Sequence, residues 1–195
     1  MSTVSLEATT GPAAEVPAAT TLEPEGLYEV IHGVVVEKPA MGAFETWIAS
    51  ELFGWLRSSA EVRRLGRIVS KMLFCLDAAA VLKRRPDLAF ISYQRWPRDR
   101  AVPRTAAWDV VPDLAVEVIS PTNLASAVLA KVVEYFHYGV RSVWVVYPLE
   151  EQVYVYDSVT SVRILTRADR LTIPSILPQF ELPLENLFEN ESPAN

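Results

Sequence analysis

The sequence predicts an α/β sandwich, a mixed β-sheet flanked by helices, with an N-terminal β-hairpin extension. Three observations carry this. Apolar residues recur at helical spacing in two separate stretches, and short β-branched runs lie between and after them. One run, Pro112–Ile119, is apolar almost without interruption, as expected of a central strand covered on both faces. One helix, several strands, a second helix and more strands imply helices packed on a mixed sheet.

Residues 1–25 are mostly Ala, Thr, Pro, Ser and Glu, too poor in large apolar groups to offset ordering entropy, and predict a disordered leader. The folded domain is placed at residues 26–190 and a flexible tail at 191–195. Tyr28–Val36 reads as two short strands around a His32-Gly33 turn. A helix is predicted over Gly42–Ser58, where Phe44, Ile48, Leu52, Trp55 and Leu56 share a face. Gly66–Asp77 reads as one strand and Pro86–Ile91 as another. Residues 93–111, rich in Arg, Pro and Trp, read as loop. After the central run, Asn123 or Thr122 is expected to cap a helix to about Tyr138, which Gly139 stops. Val143–Tyr147 and Gln152–Tyr156 read as strands with Pro148 turning between them, and residues 161–166 as an edge strand. From Leu171, the prolines Pro174, Pro178 and Pro183 predict an irregular segment.

The chain has 195 residues, half of them hydrophobic, which suits one domain with a real core. No run reaches the roughly 18 apolar residues of a membrane span. There is no basic start leading into an apolar stretch, so no signal peptide is expected. Cys75 is the sole cysteine, which excludes an internal disulfide framework and fits a reducing cytoplasm. It is read as a small core residue. With only His32 and His137 beside it, a zinc site is not expected. No Gly-x-Ser-x-Gly elbow is present, and Ser120 before Pro121 reads as a turn residue, so a serine or cysteine hydrolase is disfavoured. The net charge of −6 is uneven: residues 1–37 hold six acids and residues 181–195 four, with no Lys or Arg in either. The middle is left with 14 acids against 18 bases, compatible with a phosphate backbone.

Three residues stand out chemically. Glu117 lies inside an otherwise apolar strand, and a buried carboxylate needs a metal, a cation or a proton. Asp87 opens its own apolar strand. Asp113 offers a second Pro-Asp pair, but it lies four residues before Glu117 on one strand, roughly 13 Å away, too far to share one small ion. On a wheel with Leu124 at 0°, Val128, Tyr135 and Lys131 fall at about 40°, 20° and 340°, so Lys131 sits on the apolar face of its helix. Asp87 and Glu117 on paired strands would hold Mg²⁺, with Mn²⁺ as a substitute, and Lys131 would orient water or stabilise the transition state. Glu45 and Glu51 both flank the apolar face of the first helix as further acids, and spacing does not choose between them. Arg84 and Arg85 beside the site, and Arg95, Arg98, Arg100 and Arg104 in the loop, are candidate contacts to a DNA backbone.

The order of these motifs resembles the Uma-two endonuclease family, a branch of the PD-(D/E)XK superfamily. Tyr28–Val34 is similar to its opening hairpin and Arg85-Pro86-Asp87-Leu88 to its RPD strand. Pro112–Pro121 is similar to its most distinctive segment. Lys131, Glu134-Tyr135, Gly139-Val140 and Trp144–Val146 match the helix and strand that follow, and Leu177–Phe180 through Leu187-Phe188 the closing segment. The resemblance implies a restriction endonuclease-like fold and a metal-dependent endonuclease acting on DNA. It implies Asp87 and Glu117 as metal ligands, and Lys131 in the role of the lysine usually found two places after the glutamate, where Ile119 stands here. It favours Glu45 over Glu51. Departures lie at His32-Gly33 and Tyr147-Pro148, each in place of an Asp-containing pair, and at Ala127, where an acid is usual. The alternative expectation is a non-catalytic nuclease fold that binds nucleic acid or assembles with protein, with Trp96 and Trp108 offered to a partner surface. Nucleases of this fold often pair to cut two strands, so a homodimer is an expectation, and no membrane partner is expected.

Overall fold

The computed structural model describes residues 26–189. The expected leader, residues 1–25, and tail, residues 191–195, lie outside the described residues. The hairpin forms as read: β1 (Tyr28–Ile31) and β2 (Val34–Glu37) are antiparallel, with His32 and Gly33 at positive φ in the turn. It belongs to a four-stranded sheet of order β2-β1-β5-β4, with β4 at Phe74–Asp77 and β5 at Leu82–Arg84.

The main sheet has six strands in the order β10-β9-β8-β7-β6-β3. These are β3 (Gly66–Ser70), β6 (Leu88–Ser92), β7 (Leu114–Val118), β8 (Ser142–Tyr147), β9 (Gln152–Ser158) and β10 (Ser161–Thr166). Only β7 and β8 run parallel, joined through helix α3 (Ala125–His137); the other neighbours are antiparallel. The sheet is therefore mixed, with β7 buried at all five positions.

Strand alternation sorts side chains into two cores. Leu114, Val116 and Val118 of β7, with Leu88 and Phe90 of β6, face helix α1 (Ala43–Ser58), whose Ile48, Leu52 and Leu56 are fully buried against them. The short α2 (Ala60–Leu65), not anticipated from the sequence, adds Val62 to this layer. Ala115, Ala89 and Ile91 face the other way, against Val132 and Tyr135 of α3 and against Phe74, Trp96 and Trp108. Both tryptophans are buried and meet edge to face at 5.3 Å, so they pack on the sheet and are not presented to a partner.

Three expectations are corrected. Gly66–Asp77 is two strands in different sheets, because Lys71 adopts φ 50° and turns the chain between them. The segment from Leu171 is regular: β11 (Arg170–Ile173) and β12 (Leu177–Pro183) form a hairpin, followed by α4 (Leu184–Phe188). Pro178 and Pro183 are tolerated because each strand of a two-stranded sheet has an outer edge where no N–H is required. Its Leu171, Leu177 and Leu182 complete the α1-side core. Finally, Leu124 and not Asn123 or Thr122 is the N-cap of α3. Asn123 Oδ1 instead accepts from the Ser120 amide at 2.8 Å, closing the turn after β7, and Leu124 is left 71% exposed. Gly139 ends the helix at φ 91°, as read.

Cys75 is half-buried on β4, and burial, then the charge of Asp109, pushes its thiol up, away from a reactive thiolate.

Candidate active site

The same alternation that builds the cores places the acids. Glu117 alternates with Val116 and Val118, so its side chain points to the α3 side of the sheet. Asp87 stands just before β6, whose Leu88 pairs with Val116, and the Asp87 amide donates to the Val116 carbonyl at 2.9 Å. The two carboxylates thus emerge side by side at one end of adjacent strands. Asp87 Oδ2 accepts from the Val118 amide at 2.8 Å, fixing the side chain. Glu117 Oε1 accepts from the buried Tyr135 hydroxyl at 2.7 Å.

The free oxygens, Asp87 Oδ1 and Glu117 Oε2, converge on one cation: Lys38 Nζ lies 2.9 Å from the first and 3.3 Å from the second. Its third partner is the Arg85 carbonyl at 2.8 Å. Lys131 reaches inward as its wheel position predicts. Its Nζ sits 3.0 Å from Glu29 Oε1 and 3.5 Å from Glu117 Oε1. Arg84 is buried between Glu29 Oε2, at 2.8 Å, and the Glu134 carboxylate. Four carboxylates and three cations therefore form one network, and all but Glu134 line a cleft of about 350 Å³ whose remaining lining includes Ile31, Val36, Met41, Ile119 and Val128.

Electrostatics follow from this packing. Burial alone would raise the Glu117 carboxyl, but Lys38, then Lys131 and the Tyr135 hydroxyl, bring it below the usual range. Burial and the neighbouring Glu117 charge push Asp87 up, against the pull of Lys38. Burial works against the Lys38 charge, yet Glu117 and Asp87 outweigh it and hold the amine above its ordinary range. Burial, then the Glu117 and Glu29 charges, raises the Tyr135 phenol, which stays protonated as a donor.

Asp87, Glu117 and Lys131 are brought together. Glu45 is buried but lies outside the cleft lining, its carboxylate folded back against Gly42 at the start of its own helix. Glu51 lies on another surface, beside Gly54 and Trp55. Asp113 is at the opposite end of β7, held by Arg95 at 3.0 Å, by Arg141 and by the Ser92 amide. Arg84 is occupied by its two acids. Arg85 donates to the Tyr28 and Lys71 carbonyls and stacks over Tyr28. Arg98 and Arg100 are exposed but belong to a loop leaving the Ser92 end of β6, the far end from Asp87. Arg100 lies over Trp96, and Arg98 over Tyr93.

Three members were missed in the sequence: Glu29, Lys38 and Glu134, whose carboxylate meets Arg84. Glu29 sits between the buried Tyr28 and Val30, the same signal that marks Glu117. Lys38 is the sole Lys or Arg in residues 1–56 and directly follows an apolar strand, a lone base in an acidic stretch.

A nuclease fold implies a divalent metal, and these residues can be matched to one. Two hard carboxylate oxygens aimed at a single point fit Mg²⁺ or Mn²⁺, which accept few protein ligands and keep several waters. Among the described residues no group of three or more Asp, Glu, His or Cys side chains forms a larger ligand set. The donors fit, with Lys38 removed from the point where they meet.

The Uma2 family model, described as "Putative restriction endonuclease", matches residues 15–185 of the chain. Among solved structures, a "putative nuclease belonging to DUF820" from Anabaena variabilis superposes with a TM-score of 0.72 at 22% identity, covering 86% of this chain and 92% of that one. At that identity the likeness speaks for the fold. No curated protein matches the chain. No helix of the described residues is long and apolar enough to cross a membrane.

Proposed function

The chain belongs to the Uma2 family of restriction endonuclease-like proteins, and we propose that it is a metal-dependent endonuclease hydrolysing DNA phosphodiester bonds at the Asp87–Glu117 pair. One observation carries the reading: two buried carboxylates from adjacent strands aim their free oxygens at a common point in the wall of a cleft. A divalent ion held there would supply Lewis acidity toward water and phosphate. The chain's own groups do the rest. The Val118 amide and Tyr135 hydroxyl fix the rotation of Asp87 and Glu117, so both ligand oxygens are pre-aimed. Lys131, anchored by Glu29, presents a positive charge beside Glu117, where it would stabilise negative charge growing on a phosphate or orient the attacking water. In this reading the protein acts in the cytoplasm, and cutting both strands of a duplex would call for two copies.

A second reading is supported by the completeness of the ion network. Lys38, Lys131 and Arg84 already satisfy the acids, as expected of a nuclease fold kept for binding or assembly. The test is cleavage of a plasmid and of a single-stranded circle with Mg²⁺ or Mn²⁺, comparing the native chain with Asp87→Ala and Glu117→Ala. Metal-dependent cutting lost in both variants is the expected result. No cutting by the native chain across metals and salts would favour the binding module. Equal cutting by all three would place the activity elsewhere.

A further inference from the structure

We propose that Lys38 is a built-in competitor of the metal: its ammonium occupies the point shared by Asp87 Oδ1 and Glu117 Oε2, so the site takes a divalent ion only when Lys38 withdraws. The inference rests on the metal-dependent reading above and adds a condition to it.

The geometry is specific to Lys38. All three of its N–H groups are used, on Asp87 Oδ1 at 2.9 Å, Glu117 Oε2 at 3.3 Å and the Arg85 carbonyl at 2.8 Å. Its side chain is only 13% exposed, with Asp87 and Glu117 at 2% and 7%. Lys131, by contrast, bonds the other oxygen of Glu117 and leaves the shared point free. A metal ion binds carboxylate oxygens at roughly 2.0–2.1 Å, so it would need the space where Lys38 Nζ lies. Lys131 is compatible with a bound ion, whereas Lys38 is not.

Charge leads to the same exclusion. With every group ionised, Glu29, Asp87, Glu117 and Glu134 face Lys38, Lys131 and Arg84, leaving one net negative charge. Exchanging Lys38 for a divalent ion brings the network to neutrality. Adding the ion without removing Lys38 would leave it positive in a poorly solvated place, which is unfavourable. The lysine has a route out. It follows the end of β2, its backbone amide donates one hydrogen bond to the Leu27 carbonyl, and the next two residues, Pro39 and Ala40, are exposed. Its long flexible stem lets the charge swing toward water with the backbone in place.

Competition for one point is a coupling between two ligands of the pair, and it must be reciprocal. Removing Lys38 should therefore tighten metal binding, and metal should release Lys38. The first measurement is calorimetric titration of Mn²⁺ into the full chain, comparing wild type with Lys38→Met and Lys38→Gln, each checked for folding by circular dichroism. Tightening by about tenfold or more in either folded variant, abolished when Asp87→Asn is added, is expected. The second needs no variant. Lys38 of the wild-type chain is acetylated with and without saturating Mn²⁺ and followed by mass spectrometry, and its labelling should rise with metal. Equal Mn²⁺ affinity in wild type and Lys38 variants, together with metal-independent labelling, would overturn the competitor role while leaving the metal site standing. No binding by any folded form would overturn both the inference and the metal-dependent reading.

Discussion

Tyr135→Phe removes one hydroxyl from a fully buried ring, and the structure fixes what that costs. The hydroxyl donates to Glu117 Oε1 at 2.7 Å, and the other donor to that oxygen, Lys131 Nζ, stands at a long 3.5 Å. A hydrogen bond to a charged acceptor contributes about 1.5–3 kcal/mol. For a domain of this size each kcal/mol moves Tm by roughly 2–4 °C, so the variant should melt about 3–12 °C lower. The loss should depend on pH. Glu117 sits below its ordinary value of 4.5 in the fold, so its stabilising contribution is present above that value and is lost as pH falls through the lower folded one. Taking away a donor to the charged form raises the folded pKa. The gap between wild type and variant should be widest near neutrality and should narrow on acidification. Urea unfolding followed by circular dichroism across this range measures it. A loss under about 0.5 kcal/mol, the size of an ordinary surface change, would refute the reasoning. So would a gap that ignores pH.

Two further outcomes follow from the same network and from its counterpart at the other end of β7. Arg84→Met takes the cation from Glu134 and one of the two cations from Glu29, and should destabilise by about 3–5 kcal/mol, read as a lower urea midpoint, because buried negative charge is left undercompensated. Asp113→Asn should lower the urea midpoint by loosening Arg95 and Arg141, yet leave Mn²⁺ binding unchanged in a Lys38→Met background, where Asp87→Asn abolishes it.

The sheet was legible because its evidence is periodic. Leu114 to Val118 reads as a central strand and is one, and Lys131 points inward because its wheel position requires it. Asp87 and Glu117 converge because their strands pair, and the spacing argument that set Asp113 aside agrees with its place at the other end of β7. What escaped depends on partners distant in sequence. Lys38 bonds Asp87 and Glu117 across 49 and 79 residues, and no local pattern encodes that meeting. The closing hairpin escaped for a different reason. Its prolines suppress the local strand signal, but Leu171, Leu177 and Leu182 are held by burial against the α1-side core, and packing overrides propensity there. Arg84 and Arg85 read as surface bases because charge in a run of three cannot reveal that two of its members turn inward.

The alternation along β7 also limits how this site can change over evolutionary time. Val116 and Val118 lock one side of the strand into the α1-side core while Glu117 serves the other. A single-residue insertion or deletion within β7 would exchange the two sides, driving a carboxylate into hydrocarbon and valines into the ion network. Such lineages would lose the fold before they could explore another arrangement of the acids. Chemistry at Glu117 can therefore be retuned or abandoned by point replacement, but it cannot migrate along the strand.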